Sequence, residues 1–222
     1  MKRIAIIENS EGLGAFFINY LEPGEYELFP VWKDPAFPAV EDFDAFIITG
    51  DYKNLSDGLL GHHRKEVELV RAVGDKKVFG SCFGHQLFGQ AFGGKLGKRE
   101  KRFFGWNKLT ITARHPIFNG LDDPFFLSLN GDEVTVKPEG AKLLATNPDC
   151  ENLIFQYGEN IISCQPHPEI RKEDGLKGIE EHRGDLVDRC PDLDGLVEET
   201  KEFADDEASD RFLNNIMDWL RS

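Results

Sequence analysis

The chain has 222 residues, 40% of them hydrophobic and 18 of them Phe, and a formal net charge of −14. A chain of this length buries roughly 70% of its unfolded surface, so its core needs neither disulfides nor metal. The charge opposes nucleic acid and anionic membranes as partners. Only four apolar residues separate Met1-Lys2-Arg3 from Glu8, and no apolar run nears the roughly 20 residues that cross a bilayer. Cysteines at 82, 150, 164 and 190 are scattered like intracellular thiols. A cytoplasmic address is expected, with no membrane or nucleic-acid partner and no metal or other cofactor.

Strands and helices alternate along the first half. Arg3 to Glu8 is a short apolar run of strand type, Gly12 to Leu21 has helical spacing, and Glu25 to Val31 reads as a second strand. Asp44 to Thr49 is a third, closed by Gly50. Leu59 to Val73 groups Val67, Leu69, Val70 and Val73 on one side of a helix. Lys77 to Gly80 follows as a fourth strand. Such alternation predicts a parallel sheet with helices on both faces, because parallel neighbours need crossovers, and sites in such sheets form at the carboxyl ends of strands.

Past Gly94 the runs shorten to Trp106–Thr112, Phe125–Leu129, Lys142–Thr146, Leu153–Tyr157 and Asn160–Ser163. Turn signals such as Asn130-Gly131-Asp132 and Asn147-Pro148-Asp149 divide them, which predicts an antiparallel extension. Residues 1–222 read as a single domain, with residues 171–222 an acidic helical flank. That flank closes on an amphipathic helix from Arg211 to Leu220 and is expected to pack on the sheet.

The chemistry concentrates in two segments. Gly80-Ser81-Cys82-Phe83-Gly84-His85-Gln86 sets a thiol between glycines after a buried strand and before a helical segment, the pattern of a nucleophile elbow. The helix N-terminus there favours thiolate over thiol. In Gln165-Pro166-His167-Pro168-Glu169, Pro168 biases His167 toward extended backbone, so that Glu169 projects to the same side and can orient the imidazole. Either segment alone is weak: a lone cysteine in a Gly-rich turn is as often a packing residue, and a His between prolines is more often part of a turn.

Other groupings carry less. Cys150, Cys164, His167, His182 and Cys190 lack the second tight ligand pair of a zinc site. His62-His63 reads as solvated surface on a charged helix, and Lys95 to Lys101 as a solvated loop. Gly12-Leu13-Gly14 lacks the third glycine of a dinucleotide fingerprint.

Together the two segments resemble the class I, or triad-type, glutamine amidotransferases, which carry G-x-C-x-G-x-Q at the nucleophile and H-P-E at the base. Gly105-Trp106, Gly131-Asp132-Glu133-Val134 and Pro138 to Ala145 resemble the glutaminase domain of GMP synthetases and its free-standing relatives. The resemblance implies a flavodoxin-like α/β fold, with an open, mostly parallel sheet, helices on both faces and an antiparallel extension. It also implies that Cys82 attacks the γ-carbonyl of glutamine or another γ-glutamyl small molecule, with His167 as acid and base and Glu169 as its orienting carboxylate. Backbone N–H groups of Phe83 and of Gly50 or Asp51 would form the oxyanion hole, and Gln86 would contact the glutamyl group. Two positions depart from the pattern: Asp51 stands where a second glycine is frequent, and Asn130 where His is common.

Three functions remain open on these residues. The first is a glutamine amidotransferase whose ammonia passes to a synthetase on another chain. The second is a free-standing γ-glutamyl peptidase acting on γ-glutamyl peptides or glutathione conjugates. The third is a catalytically silent regulatory or binding module.

Overall fold

A computed structural model describes residues 2–181, 183–187, 190 and 192–222. An eight-stranded sheet in the order β2-β1-β3-β4-β10-β9-β8-β6 forms its centre. Its parallel half consists of β2 (Tyr26–Pro30), β1 (Ile4–Glu8), β3 (Ala45–Ile48), β4 (Lys77–Ser81) and β10 (Ile161–Cys164). β9 (Cys150–Tyr157), β8 (Lys142–Asn147) and β6 (Thr110–Ile111) continue it antiparallel.

The period of two along the buried strands decides what covers each face. Ile4 and Ile6 of β1, Ile47 of β3 and Phe79 of β4 point into one core with Phe17, Phe212, Leu213, Ile216 and Leu220. Ala5, Ile7, Phe46, Ile48 and Val78 point into the opposite core with Leu69, Val70, Phe83, Leu87 and Phe88. Helix α7 (Asp206–Arg221) therefore covers the first face, while α2 (Gly61–Ala72) and α3 (Phe83–Ala91) cover the second. No helix of the described residues is long and apolar enough to cross a membrane.

Two local expectations differ from what is found. The helix expected over Gly12 to Leu21 is a single turn, α1 (Ala15–Ile18). The stretch Lys95 to Lys101 is not a loop but the first half of β5 (Lys95–Lys108), which pairs antiparallel with β7 (Phe125–Val136) as a separate two-stranded ribbon. Its charged residues hid the strand, because a two-stranded ribbon leaves one face wet. The acidic flank consists of α4 (Lys172–Glu181), α5 (Arg183–Leu186), α6 (Leu193–Phe203) and α7. Trp106 of β5 donates its indole N–H to Thr200 Oγ1 of α6 at 2.9 Å, fastening the ribbon to that flank.

Candidate active site

The turn from β4 into α3 places Cys82 in a backbone conformation that non-glycine residues seldom adopt, with φ 49° and ψ −98°. Crowding explains its neighbours. A Cβ on Gly80 would lie 2.6 Å from Phe88 Cε2 and 2.8 Å from the carbonyl carbon of Gly84, and one on Gly84 would lie 2.7 Å from Ile48 O. Both positions exclude side chains, as the elbow pattern requires. The Cys82 N–H donates to Cys164 O at 2.8 Å, tying the elbow to the end of β10.

His167 comes from the other side of that junction. Its N–H donates to Leu127 O of β7 at 2.7 Å, and Ile170 N–H donates back to His167 O at 3.2 Å. The backbone therefore turns after His167 instead of running extended through Glu169. Even so, His167 Nδ1 lies 2.8 Å from Glu169 Oε1. The same oxygen accepts from Ser81 Oγ at 2.8 Å, so the residue before the thiol also orients the carboxylate. Glu169 also lines a cavity of about 300 Å³ with Tyr20, Arg171, Asp174 and Asp210.

Cys82, His167 and Glu169 are all buried. Burial alone would pull the imidazole pKa down. The charge of the Cys82 sulfur and then that of Glu169, which also hydrogen-bonds the ring, overcome it and hold His167 well above its ordinary value. Burial pushes the Cys150 thiol up to about 12 and raises those of Cys164 and Cys190.

Gly50 closes the group. A Cβ there would lie 3.1 Å from His167 Cε1 and 3.6 Å from Cys82 Cβ, so the end of β3 abuts both side chains. Asp51, the departure from paired glycines, has its carboxylate engaged on another side. Oδ1 accepts from Ser10 Oγ at 2.7 Å and from Lys53 N–H at 3.1 Å, and Oδ2 lies 3.1 Å from His63 Nε2. Leu60 N–H donates to His63 Nδ1, which leaves Nε2–H as the donor to Asp51. His63 is thus buried, at 1% exposed, and not the solvated residue expected of its charged helix.

Gln86 is placed one turn into α3. Its amide N–H₂ donates to Asp132 O at 3.0 Å and to Gln165 Oε1 at 3.2 Å. Gln165 in turn directs Nε2 at Cys82 Sγ, 3.6 Å away. Asn130 donates its side-chain amide to Asp132 O at 2.8 Å. Sequence reasoning passed over Ser81, Gln165 and Asp132. Gln165 was within reach, since it lies two positions before His167 as Glu169 lies two after, and alternate residues share a side. Asp132 offered no such signal, because it acts through its main-chain carbonyl. Among the residues weighed for zinc, His182 lies outside the described residues, and Cys150, Cys164 and Cys190 are buried free thiols.

Residues 6–181 match the family model for glutamine amidotransferase class-I. The chain is 33% identical over 175 residues to gamma-glutamyl peptidase 3 of Arabidopsis thaliana, covering 71% of this chain and 68% of that one. It is 36% identical over 108 residues to a glutamine-hydrolyzing GMP synthase of Nitratidesulfovibrio vulgaris, covering 46% of this chain and 21% of the synthase. A crystal structure of a glutamine amidotransferase from Thermotoga maritima shares the fold with a TM-score of 0.83, covering 100% of this chain and 99% of that one at 16% identity. The chain belongs to the class-I glutamine amidotransferase family.

Proposed function

We propose that the chain hydrolyses a γ-glutamyl amide bond through a thioester on Cys82. The observation that carries this reading is one connected set of contacts: Gly50 abuts both Cys82 and His167, His167 Nδ1 faces Glu169, and Ser81 fixes the same carboxylate oxygen. In the resting pair the imidazole is held charged by the sulfur beside it. Attack of the thiolate on the γ-carbonyl spends that negative charge, and the imidazolium gives its proton to the departing nitrogen. Once the sulfur is a neutral thioester, the strongest cause of the raised His167 pKa is gone. The imidazole then becomes a base able to activate water. Glu169 keeps the ring oriented through both steps.

The Phe83 N–H at the start of α3 and the backbone N–H of Gly50 or Asp51 are the proposed oxyanion donors. Asp51 is compatible with that role because Ser10, Lys53 and His63 occupy its carboxylate. Gln86 acts here through Gln165 as a positioning residue, in addition to any contact with the glutamyl group.

In the first reading the substrate is glutamine, and the ammonia serves a synthetase on another chain, as the GMP synthase relatives suggest. A second reading, hydrolysis of γ-glutamyl peptides, is favoured by coverage: the match to the Arabidopsis peptidase spans most of both chains, whereas the match to the synthase spans about a fifth of it. Incubation with glutamine and with γ-glutamyl dipeptides, followed by glutamate detection, tests the proposal and ranks the readings. Glutamate from neither substrate, in wild type and Cys82→Ala alike, removes the proposed activity and favours a silent module.

A further inference from the structure

Beside the Gly50 turn lies a polar cluster that the thioester chemistry does not use. Asp51 meets His62 and His63 from the first turn of α2, and a donor atom from each of the three lies within 4.8 Å of the others. The side chains of Asp51 and His63 are 5% and 1% exposed. His62 Nε2 and, from the same helix and the end of β1, Glu66 Oε1 and Asn9 Oδ1 are buried atoms with no hydrogen-bond partner. Asn9 and Glu66 are joined to one another, Nδ2 to Oε2 at 3.1 Å, and His62 lies four positions before Glu66 on the same side of α2. Three of the six unpartnered buried side-chain atoms among the described residues therefore fall here. Asn9 Oδ1 offers a lone pair, as does His62 Nε2 in one of its two tautomers, whereas burial raises the Glu66 carboxyl pKa to about 8 and leaves it protonated at neutral pH.

We infer that Asp51, His62 and His63 form a binding site for one divalent transition-metal ion of the zinc class, which clasps the loop after β3 to the start of α2. Two imidazoles and a carboxylate suit Zn²⁺ or its neighbours far better than Mg²⁺ or Ca²⁺, which take oxygen ligands. His63 brings Nε2, because Nδ1 faces Leu60 N–H. Asp51 brings Oδ2, because Ser10 and Lys53 hold Oδ1 and fix the direction of the carboxylate. Two ligands about 2.0–2.1 Å from a tetrahedral ion stand roughly 3.3 Å apart. The 3.1 Å between His63 Nε2 and Asp51 Oδ2 already meets that spacing. The third edge closes by rotation of His62, a half-buried side chain.

Binding also has a defined cost. The ion takes the Nε2 lone pair of His63, so the ring proton moves to Nδ1 and the Leu60 hydrogen bond, at 3.3 Å, is given up. No net proton is released from that ring. In exchange, His62 Nε2 gains a partner and the Asp51 carboxylate gains a stronger one.

The test uses the full chain carrying Cys82→Ala, so that the active-site thiol takes no metal of its own. Titration with Zn²⁺ should give one ion per chain and raise the melting temperature. Co²⁺ should bind with an absorption spectrum free of a thiolate charge-transfer band. His62→Ala and Asp51→Asn should each weaken Zn²⁺ binding about 10- to 100-fold. His62→Gln, a mild change at a half-buried position, should do the same while melting like the parent without metal. The inference fails if Zn²⁺ shows no saturable binding, if both His62 variants bind as tightly as the parent, or if the Co²⁺ spectrum carries a thiolate band.

Discussion

Gln165 Nε2 sits 3.6 Å from Cys82 Sγ, and neither amide in the relay behind it is free to flip. A main-chain carbonyl, that of Asp132, accepts from Gln86, and Gln86 donates onward to Gln165 Oε1. The NH₂ end of Gln165 is therefore the end that faces sulfur. A hydrogen bond to a charged group is worth about 1.5–3 kcal/mol, or roughly 10- to 100-fold in rate. Gln165→Glu, nearly the same shape but an acceptor, should lower kcat/KM by about that factor. An unchanged kcat/KM would reduce Gln165 to a packing residue.

The coupling between Cys82 and His167 makes a second prediction. The folded imidazole is held above its ordinary pKa chiefly against burial, by the neighbouring sulfur first and Glu169 second. A raised His pKa contributes stability that is fully present below about pH 6.5 and is lost as pH climbs through the folded value. Cys82→Ala removes the larger of the two attractions and leaves the burial. The His167 ring resonances should then titrate at lower pH than in wild type. Titration of both proteins at the same pH would mean that sulfur and imidazole do not interact as described.

Gly50 is a third case, where the limit is space. A methyl group at this position would sit 3.1 Å from His167 Cε1 and 3.6 Å from Cys82 Cβ. The ring must yield by a few tenths of an ångström, within a site where small misplacements are costly. Gly50→Ala should lower kcat by roughly 10²-fold while KM and melting temperature change little. A loss confined to KM would instead place Gly50 in substrate binding alone.

Much of this site is legible in the residues, for reasons that differ by segment. Gly80 and Gly84 announce the elbow because no other side chain fits against Phe88 and Ile48. His167 and Glu169 announce one another by proximity in the chain, although the mechanism of their meeting is a turn and not an extended run. The alternation of strands and helices gives the parallel half of the sheet, because continuous apolar strands such as Ala45–Ile48 are what two covered faces demand. β5 was hidden, since its Lys- and Arg-rich first half is strand only by virtue of its pairing with β7. The burial of His63 was hidden as well, because Asp51, twelve positions away, and the Leu60 N–H decide it.

The fourth prediction concerns His85, inside the elbow motif yet turned away from the thiol. Its ring is fully buried, with Nδ1 2.9 Å from Ser163 Oγ and the ring stacked at a tilt on Phe155. Burial, partly offset by hydrogen bonding, holds its pKa down to about 3. The unfolded chain thus binds a proton that the folded chain refuses between about pH 6.5 and 3, so stability is whole above the higher value and declines as pH falls below it. Between pH 7 and 5 the loss from this one ring is about 2 kcal/mol, from 1.5 pH units at about 1.36 kcal/mol each. His85→Gln keeps a neutral hydrogen-bonding group and removes the titration. Urea unfolding at pH 7 and pH 5 should show wild type losing about 2 kcal/mol more than the variant over that interval, since other titrating groups act on both alike. Equal losses would mean that His85 takes up its proton in the folded state.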